Sequence, residues 1–283
     1  MVEEILETVA ATAPRIREGL PGRRAYGEEE NPSGERRLAA DEYADELLEE
    51  RLLALDAVGS YASEERESVV EDDGRYHVAC DPLDGSSNLK SNNAMGTIVG
   101  VYDEPLPAPG RSLVASAFVL FGPITTMAVA RDGTVTESLV EATDDGVART
   151  VVTEELRLPD DPTVYGFGGR VPDWPADFAG YVEDVERELK LRYGGAMIAD
   201  VNQVLTYGGV FAYPALRSAP EGKLRLQFEA NPIAYIVERA GGASSDGSGS
   251  ILDVEPEAVH QRTPVHVGNE SLIERLEAAV DAE

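Results

Sequence analysis

Apolar residues recur every three or four positions through MVEEILETVAATAPRIREGL, which predicts an amphipathic helix ending before Leu20. A polar segment, GEEENPSG (Gly27 to Gly34), interrupts the pattern. RRLAADEYADELLEERLLALDA then restores the period, with Leu38, Tyr43, Leu47, Leu48, Leu52 and Leu55 on one broad face of a helix closing near Ala57. From Arg75 onward the spacing shortens. Residues 75–80, 96–102, 112–121, 124–130 and 134–139 are strand-like runs separated by turn signals such as Arg131-Asp132-Gly133, which predicts antiparallel pairing. A polar stretch from Glu154 to Pro162 marks a boundary, after which helical and strand-like patterns alternate to the C-terminus. The pattern therefore predicts two sheet-containing halves, an α+β half over 1–155 and an α/β half over 156–283.

Composition narrows the class. With 283 residues, 42% of them hydrophobic, the chain can fill one large or two modest cores. No apolar run approaches the ~18 residues of a membrane span, and the N-terminus is acidic rather than a basic leader with an apolar stretch, so a cytoplasmic globular protein is expected. The single cysteine, Cys80, rules out an intrachain disulfide and is expected as a buried small hydrophobe. The net charge of −29 is spread over both halves, and only Lys90, Lys190 and Lys223 among the basic residues are lysines. An acidic, lysine-poor surface fits a cytosol of very high salt, where self-repulsion is screened over about 3 Å at 1 M instead of about 8 Å at physiological strength. Nucleic acid and anionic membranes are excluded as expected partners.

The stretch that concentrates chemistry is DPLDGSSN, Asp81 to Asn88. RYHVAC ahead of it has the composition of a strand, so Asp81 is expected at that strand's carboxyl end. Pro82 holds Asp81 out of the α region. Gly85 admits backbone angles closed to other residues, which lets the N–H groups of Gly85, Ser86 and Ser87 point outward at the start of a helix. Carboxylates suit hard cations and amides suit phosphate oxygens, although the same residues are also ordinary turn formers. Ser63-Glu64-Glu65 is a second acidic element, of a kind usually found on a solvated face. Glu229, in KLRLQFEANPIAYIVERAGG (Lys223 to Gly242), is expected between a strand over Leu224 to Phe228 and a helix over Ala234 to Ala240, with Pro232 in the first helical turn.

Taken in order, these stretches resemble the class I fructose-1,6-bisphosphatases, within the superfamily of metal-dependent, lithium-sensitive sugar and inositol phosphatases. The likeness runs through NPSGERRLAAD (31–41), SEE (63–65), RYHVACDPLDGSSN (75–88), GTIVGVY (96–102), RYGGAMIADVNQVLTYGGVFAYPA (192–215), KLRLQFEANPIAYIVERAGG (223–242) and ILDVEPEAVHQRTPV (251–265). DPLDGSSN marks only the superfamily. KLRLQFEANP and HQRTPV narrow it to this family, and the inositol branch carries an Asp in a Trp-Asp-x-Ala motif where this chain has Glu229.

The resemblance implies a layered α/β/α/β/α sandwich with the active site between the two halves. It implies that Glu64, Asp81, Asp84 and Glu229, with the Leu83 carbonyl, hold two Mg²⁺ ions, with Glu35 near a third and Mn²⁺ as an alternative metal. Asp41 and Glu65 would orient and deprotonate the attacking water. Gly85, Ser86 and Ser87, with Arg225, would hold the phosphoryl group. Tyr193, Tyr213 and Lys223 would grip the remote phosphate of a sugar bisphosphate, and Met197 and Asp200 would line the sugar. Arg192 would reach into a neighbouring subunit's site, which requires a dimer or tetramer.

Read without the resemblance, Tyr193 and Tyr213 suit core packing beside the Tyr207-Gly208-Gly209 turn. One departure from the family pattern stands out. Where the family has Asn-Glu-Gly contacts to the remote phosphate, this chain reads GFGGR, Gly166 to Arg170. Three functions follow: hydrolysis of the 1-phosphate of fructose 1,6-bisphosphate in gluconeogenesis, action on sedoheptulose bisphosphate or inositol phosphates, and non-enzymatic metabolite binding.

Overall fold

A computed structural model describes residues 1–30, 32, 36–144 and 146–280. Two large sheets and three layers of helices stack into an α/β/α/β/α sandwich, with two further two-stranded pairs beside them. The larger sheet has eight strands, ordered Gly146–Thr153, Thr134–Thr143, Thr125–Arg131, Leu113–Phe121, Met95–Tyr102, Tyr76–Asp84, Val58–Ser63 and Val70–Glu71. All neighbours are antiparallel except Val58–Ser63 and Tyr76–Asp84, which run parallel. The smaller sheet orders Lys190–Leu191, Val164–Phe167, Gly209–Tyr213, Val265–Gly268 and Ala243–Ser245.

Alternation along the strands assigns each face to a core. In Met95–Tyr102, Met95, Val99 and Val101 meet the helices Val2–Gly19 and Ala39–Leu52, while Ile98 and Tyr102 point the other way. That second face meets the helices Met197–Tyr207 and Asn231–Arg239, which fill the space between the sheets. A third core, with Phe167, Trp174 and Phe178, lies beneath the helices Ala176–Glu188 and Glu270–Val280. Both faces of each sheet are thus covered, and no helix among the described residues is long and apolar enough to cross a membrane.

Several expectations need correction. The second helix spans Ala39–Leu52, not Arg36 to Ala57, and its buried face carries Ala40, Asp41, Ala44, Asp45, Leu48 and Leu52, so two acids replace the expected Tyr43. The polar segment after Ala25 contains a strand, Tyr26–Glu30, paired with Arg36–Leu38; residues 31 and 33–35 lie outside the described residues. The strand over Leu224 to Phe228 is only Leu224–Arg225. It gives way to a wide helical turn, Leu226–Ala230, that runs into the helix Asn231–Arg239. Val58–Ser63 and Gly146–Thr153 were not signalled, because the first is short and small-residue-rich and the second is a solvated edge strand.

Candidate active site

Parallel pairing puts the carboxyl ends of Val58–Ser63 and Tyr76–Asp84 side by side, with Ser63 opposite Cys80. The next residues in each chain, Glu64 and Asp81, therefore meet. The Glu64 N–H donates to the Cys80 carbonyl at 3.1 Å. The ends of sheet strands are where α/β proteins collect ligands, because the ladder stops and side chains converge there. The strand does not end at Asp81, as expected, but continues to Asp84 across an irregularity in its pairing. Pro82, which has no N–H to offer the ladder, sits in that irregularity. The Leu83 N–H donates to Asp81 Oδ1 at 2.9 Å, fixing the carboxylate.

Beyond Asp84 the chain turns at Gly85, whose φ of +72° is strained for any residue with a side chain. A Cβ there would also stand 2.1 Å from the Ala196 Cβ. This close approach brings the helix Met197–Tyr207 against the motif, and the Ile198 N–H donates to Asp84 Oδ2 at 2.8 Å. Asp84 is thereby a cap on that helix. The helix expected after Ser87 is a single turn, Asn88–Ser91, and Asn88 Nδ2 ties it to the carbonyls of Gly194 and Ala94, each at 2.9 Å.

The distal acid arrives from the other half of the chain. Glu229 lies in the wide turn Leu226–Ala230, and its Oε2 accepts the Arg225 N–H at 2.6 Å. Glu64, Asp81 and Glu229 offer carboxylate oxygens all within 4.8 Å of one another, a separation that suits one divalent cation. The Arg225 guanidinium, almost fully buried, reaches Glu64 Oε1 at 3.1 Å.

A cleft of about 530 Å³ opens over this cluster. Asp41, Glu65, Leu83, Gly85, Ser86 and Ser87 line its acidic end. Tyr193, Met197, Tyr213, Lys223 and Arg225 line the cleft too. Tyr193 is 48% exposed, which a core residue would not be. The Lys223 ammonium stands 6.0 Å from the Tyr213 ring centroid, so a cation and two phenols share the cleft with the carboxylates.

Two residues singled out from the sequence do not line the cleft. Asp200 lies beneath it and accepts the Gly194 N–H at 2.6 Å, shaping the Gly194-Gly195 loop from below. Arg192 is exposed and donates to Gln203 Oε1 at 3.1 Å. Glu35 lies outside the described residues. One charged cleft residue was missed, Arg37, whose Nε is 2.7 Å from Glu65 Oε2, along with the uncharged Gly195, Ala196, Phe211 and Leu224. For Arg37, its place inside NPSGERRLAAD was the available signal.

Electrostatics set this cleft apart. Burial, reinforced by Glu64, Asp84 and Glu229, holds the Asp81 carboxyl well above the usual carboxylate range. Burial does the same to Glu229, with Glu64 adding to it and Arg225 only partly offsetting it. Asp84 is pushed up to about 7 by burial, against the Ile198 N–H bond that favours its charged form. Burial raises Glu65 to about 8, with Asp41 and Glu64 adding to the effect and Arg37 opposing it, and burial raises Asp41 to about 6. Carboxyl groups this uncompensated fit a site for cations.

Solved structures similar to the chain include fructose-1,6-bisphosphatase of Leishmania major. Its holo form aligns with a TM-score of 0.92 at 26% identity, over 98% of this chain and 93% of that one. Its T-state form aligns at 0.88 and 25%, over 100% and 94%. Fold and site together define a phosphatase, a hydrolase of the layered α/β sandwich type.

Family models for the N-terminal and C-terminal domains of fructose-1-6-bisphosphatase match residues 20–147 and 158–281. Among curated relatives, the "Fructose-1,6-bisphosphatase class 1" of Natronomonas pharaonis is 69% identical, covering 99% of this chain and 98% of the relative. That of Halobacterium salinarum is 59% identical, covering 99% and 97%. The chain belongs to the class 1 fructose-1,6-bisphosphatase family, and these relatives come from halophilic archaea, as the acidic, lysine-poor composition led one to expect.

Proposed function

We propose that the chain hydrolyses the 1-phosphate of fructose 1,6-bisphosphate in the direction of gluconeogenesis, using two or three Mg²⁺ ions that Mn²⁺ can replace. The observation that carries this reading is one cleft that brings buried carboxylates together with Lys223, Tyr193 and Tyr213. A sugar bisphosphate, which needs cations at one phosphate and polar donors at the other, matches that set.

Hydrolysis of a phosphate monoester can require up to ~10²¹-fold acceleration, roughly 28 kcal/mol, whereas one positioned donor supplies roughly 3–4 kcal/mol. Bound divalent ions supply Lewis acidity and a more acidic water. Glu64, Asp81 and Glu229, with Asp84 and the Leu83 carbonyl, are the residues that hold them. Asp41 and Glu65 orient the attacking water and take its proton, with Arg37 holding Glu65 in place. Arg225, fixed against Glu64, and the amides of Gly85, Ser86 and Ser87 hold the phosphoryl oxygens. Met197 bounds the sugar, and Asp200 acts through the Gly194-Gly195 loop. Arg192 serves the site of a second copy in a dimer or tetramer; its exposure beside Leu191 and Tyr207, 62% and 46% exposed, supports that role.

A second reading, sedoheptulose bisphosphate or an inositol phosphate as main substrate, has one observation behind it. Gly166 to Arg170 contribute nothing to the described lining, and a Cβ on Gly168 would stand 2.2 Å from the Tyr213 ring. Phosphate release from a panel of these esters, with Mg²⁺ in molar KCl and again with excess EDTA, decides between them. Fructose 1,6-bisphosphate is expected to give the highest kcat/KM, abolished by EDTA. A higher value for an inositol phosphate would overturn the reading, and no release from any ester would leave a metabolite-binding protein.

A further inference from the structure

Glu64 and Glu65 belong to no strand or helix. They occupy a turn closed by the Arg66 N–H donating to the Ser63 carbonyl at 3.2 Å. A turn bearing two cleft carboxylates has little of its own to hold it, so what surrounds it decides where those carboxylates point. On one side the Arg66 guanidinium is anchored to the helix Ala39–Leu52, with Nε 2.6 Å from Asp45 Oδ2 and a terminal nitrogen 2.7 Å from Glu49 Oε2. Asp45 also accepts from the Tyr61 hydroxyl at 2.9 Å and is buried.

The other side is held by a residue with no role so far. His260 Nε2 is 2.7 Å from the Arg66 carbonyl oxygen, and its ring lies 5.1 Å from that of Phe228, the residue before Glu229. A carbonyl only accepts, so Nε2 carries the proton. Nδ1 is buried with no hydrogen-bond partner among the described residues, so a proton there would have no acceptor, which favours the neutral Nε2–H tautomer. The backbone around His260 is itself fastened to the turn that carries Glu229: the Leu226 N–H donates to the Gln261 carbonyl at 2.8 Å, and Leu224 and Arg225 pair with Thr263 and Arg262. His260 is therefore, with Arg225 on Glu64 itself, one of two side chains by which the Glu229-bearing segment grips the Glu64-bearing turn, and the one that holds its backbone.

We infer that His260 is a positioning residue that sets the separation of Glu64 and Glu229 through its Nε2–H bond to the Arg66 carbonyl, and so sets the affinity of that cluster for a divalent cation. The inference rests on the metal-centred reading above. It assigns to the histidine of HQRTPV the work of an outer support: ligands presented by short turns keep their geometry only while a second group holds the turn.

The test is Mn²⁺ binding to metal-free protein in molar KCl, followed by electron paramagnetic resonance and calorimetry. His260→Phe and His260→Leu keep an apolar group against Phe228 and remove the donor, whereas His260→Gln loses the ring and keeps an N–H that can reach the carbonyl. The donor-less variants are expected to weaken Mn²⁺ binding about 10–100-fold, the usual cost of losing such a support. His260→Gln should recover most of that affinity, and the KM for sugar phosphate should change little in all three. Wild-type affinity in a folded His260→Phe or His260→Leu, or a His260→Gln as weak as they are, overturns the inference. A ring-nitrogen NMR spectrum of the wild type that shows Nδ1–H instead of Nε2–H overturns it without any variant. Wild-type protein that takes up no Mn²⁺ overturns the metal-centred reading itself, a result distinct from uptake that the variants leave unchanged.

Discussion

Two populations of acidic residues in this molecule are treated in opposite ways. On the surface, Arg275 makes two hydrogen bonds to Glu188, at 2.8 and 3.0 Å, and Arg111 makes two to Asp253, at 2.7 and 2.8 Å. These bonds hold both carboxyls below their ordinary range. In the cleft, burial pushes Asp84 up to about 7 and Glu65 up to about 8. Surface acids are balanced by arginine within the chain and by bulk salt, whereas the cleft acids leave charge for a cation from outside. A monovalent salt cannot do the second task, because the cleft needs two or more charges at one point within reach of several carboxylates.

The largest expected effect follows from removing one cleft charge. Asp84→Asn keeps the size of the side chain but offers a neutral amide to the cation, so turnover should fall to well under a tenth, with the fold intact by circular dichroism. Retention of more than about a tenth of the rate, a loss of only ~1.4 kcal/mol, would contradict the role assigned to the cluster. Excess EDTA should mimic the substitution.

Salt probes the other population. A net charge of −29 repels itself at low ionic strength, so the melting temperature should rise from 0.1 to 3 M KCl, and activity with it. A flat melting temperature over that range would show that the arginine pairs alone balance the surface. A smaller effect is expected at Arg192, which lies outside the cleft of its own chain. Arg192→Ala should weaken substrate binding by roughly 1.5–3 kcal/mol, the scale of a charge-assisted hydrogen bond. Mixed oligomers of Arg192→Ala and Asp84→Asn chains should recover activity. A monomer by light scattering, or no recovery, would return Arg192 to the ordinary surface population.

How much of this was readable in advance depended on how local each signal was. Asp81, Asp84 and Gly85 share one strand and one turn, and the strand composition of Arg75 to Cys80 together with the glycine marks them directly. Glu64 was harder, since Val58–Ser63 is a six-residue strand rich in small residues with no clean alternation, and parallel pairing with Tyr76–Asp84 is a tertiary fact. The run before Glu229 reads as a strand because Leu224, Leu226 and Phe228 alternate. All three are buried, but Leu226 and Phe228 sit in a helical turn that follows directly on the pairing of Leu224 and Arg225 with Thr263 and Arg262, a contact distant in sequence. Asp45 and His260 were hard to read as functional groups because their partners are distant in sequence, and Arg37 had only its place inside NPSGERRLAAD to mark it. A buried acid on an amphipathic face breaks the expected pattern, and that break at Asp41 and Asp45 was the clue to the side of the helix facing the site.

The central claim is that burial holds Asp81, Asp84, Glu65 and Glu229 towards their protonated forms in the metal-free protein and that a divalent cation restores their charge. Carboxyls whose folded values lie above their unfolded ones contribute stability that is fully present below the unfolded values of 3.8 and 4.5 and is lost as pH rises towards about 7 for Asp84 and about 8 for Glu65. The direct measurement is the urea-unfolding free energy of metal-free protein between pH 5 and 8 in constant 3 M KCl, repeated with saturating Mg²⁺. Stability that falls with pH in the metal-free protein and is restored by Mg²⁺, increasingly so towards pH 8, is the predicted result; a metal-free curve that is flat or rising, or one that Mg²⁺ leaves unchanged, would contradict the account.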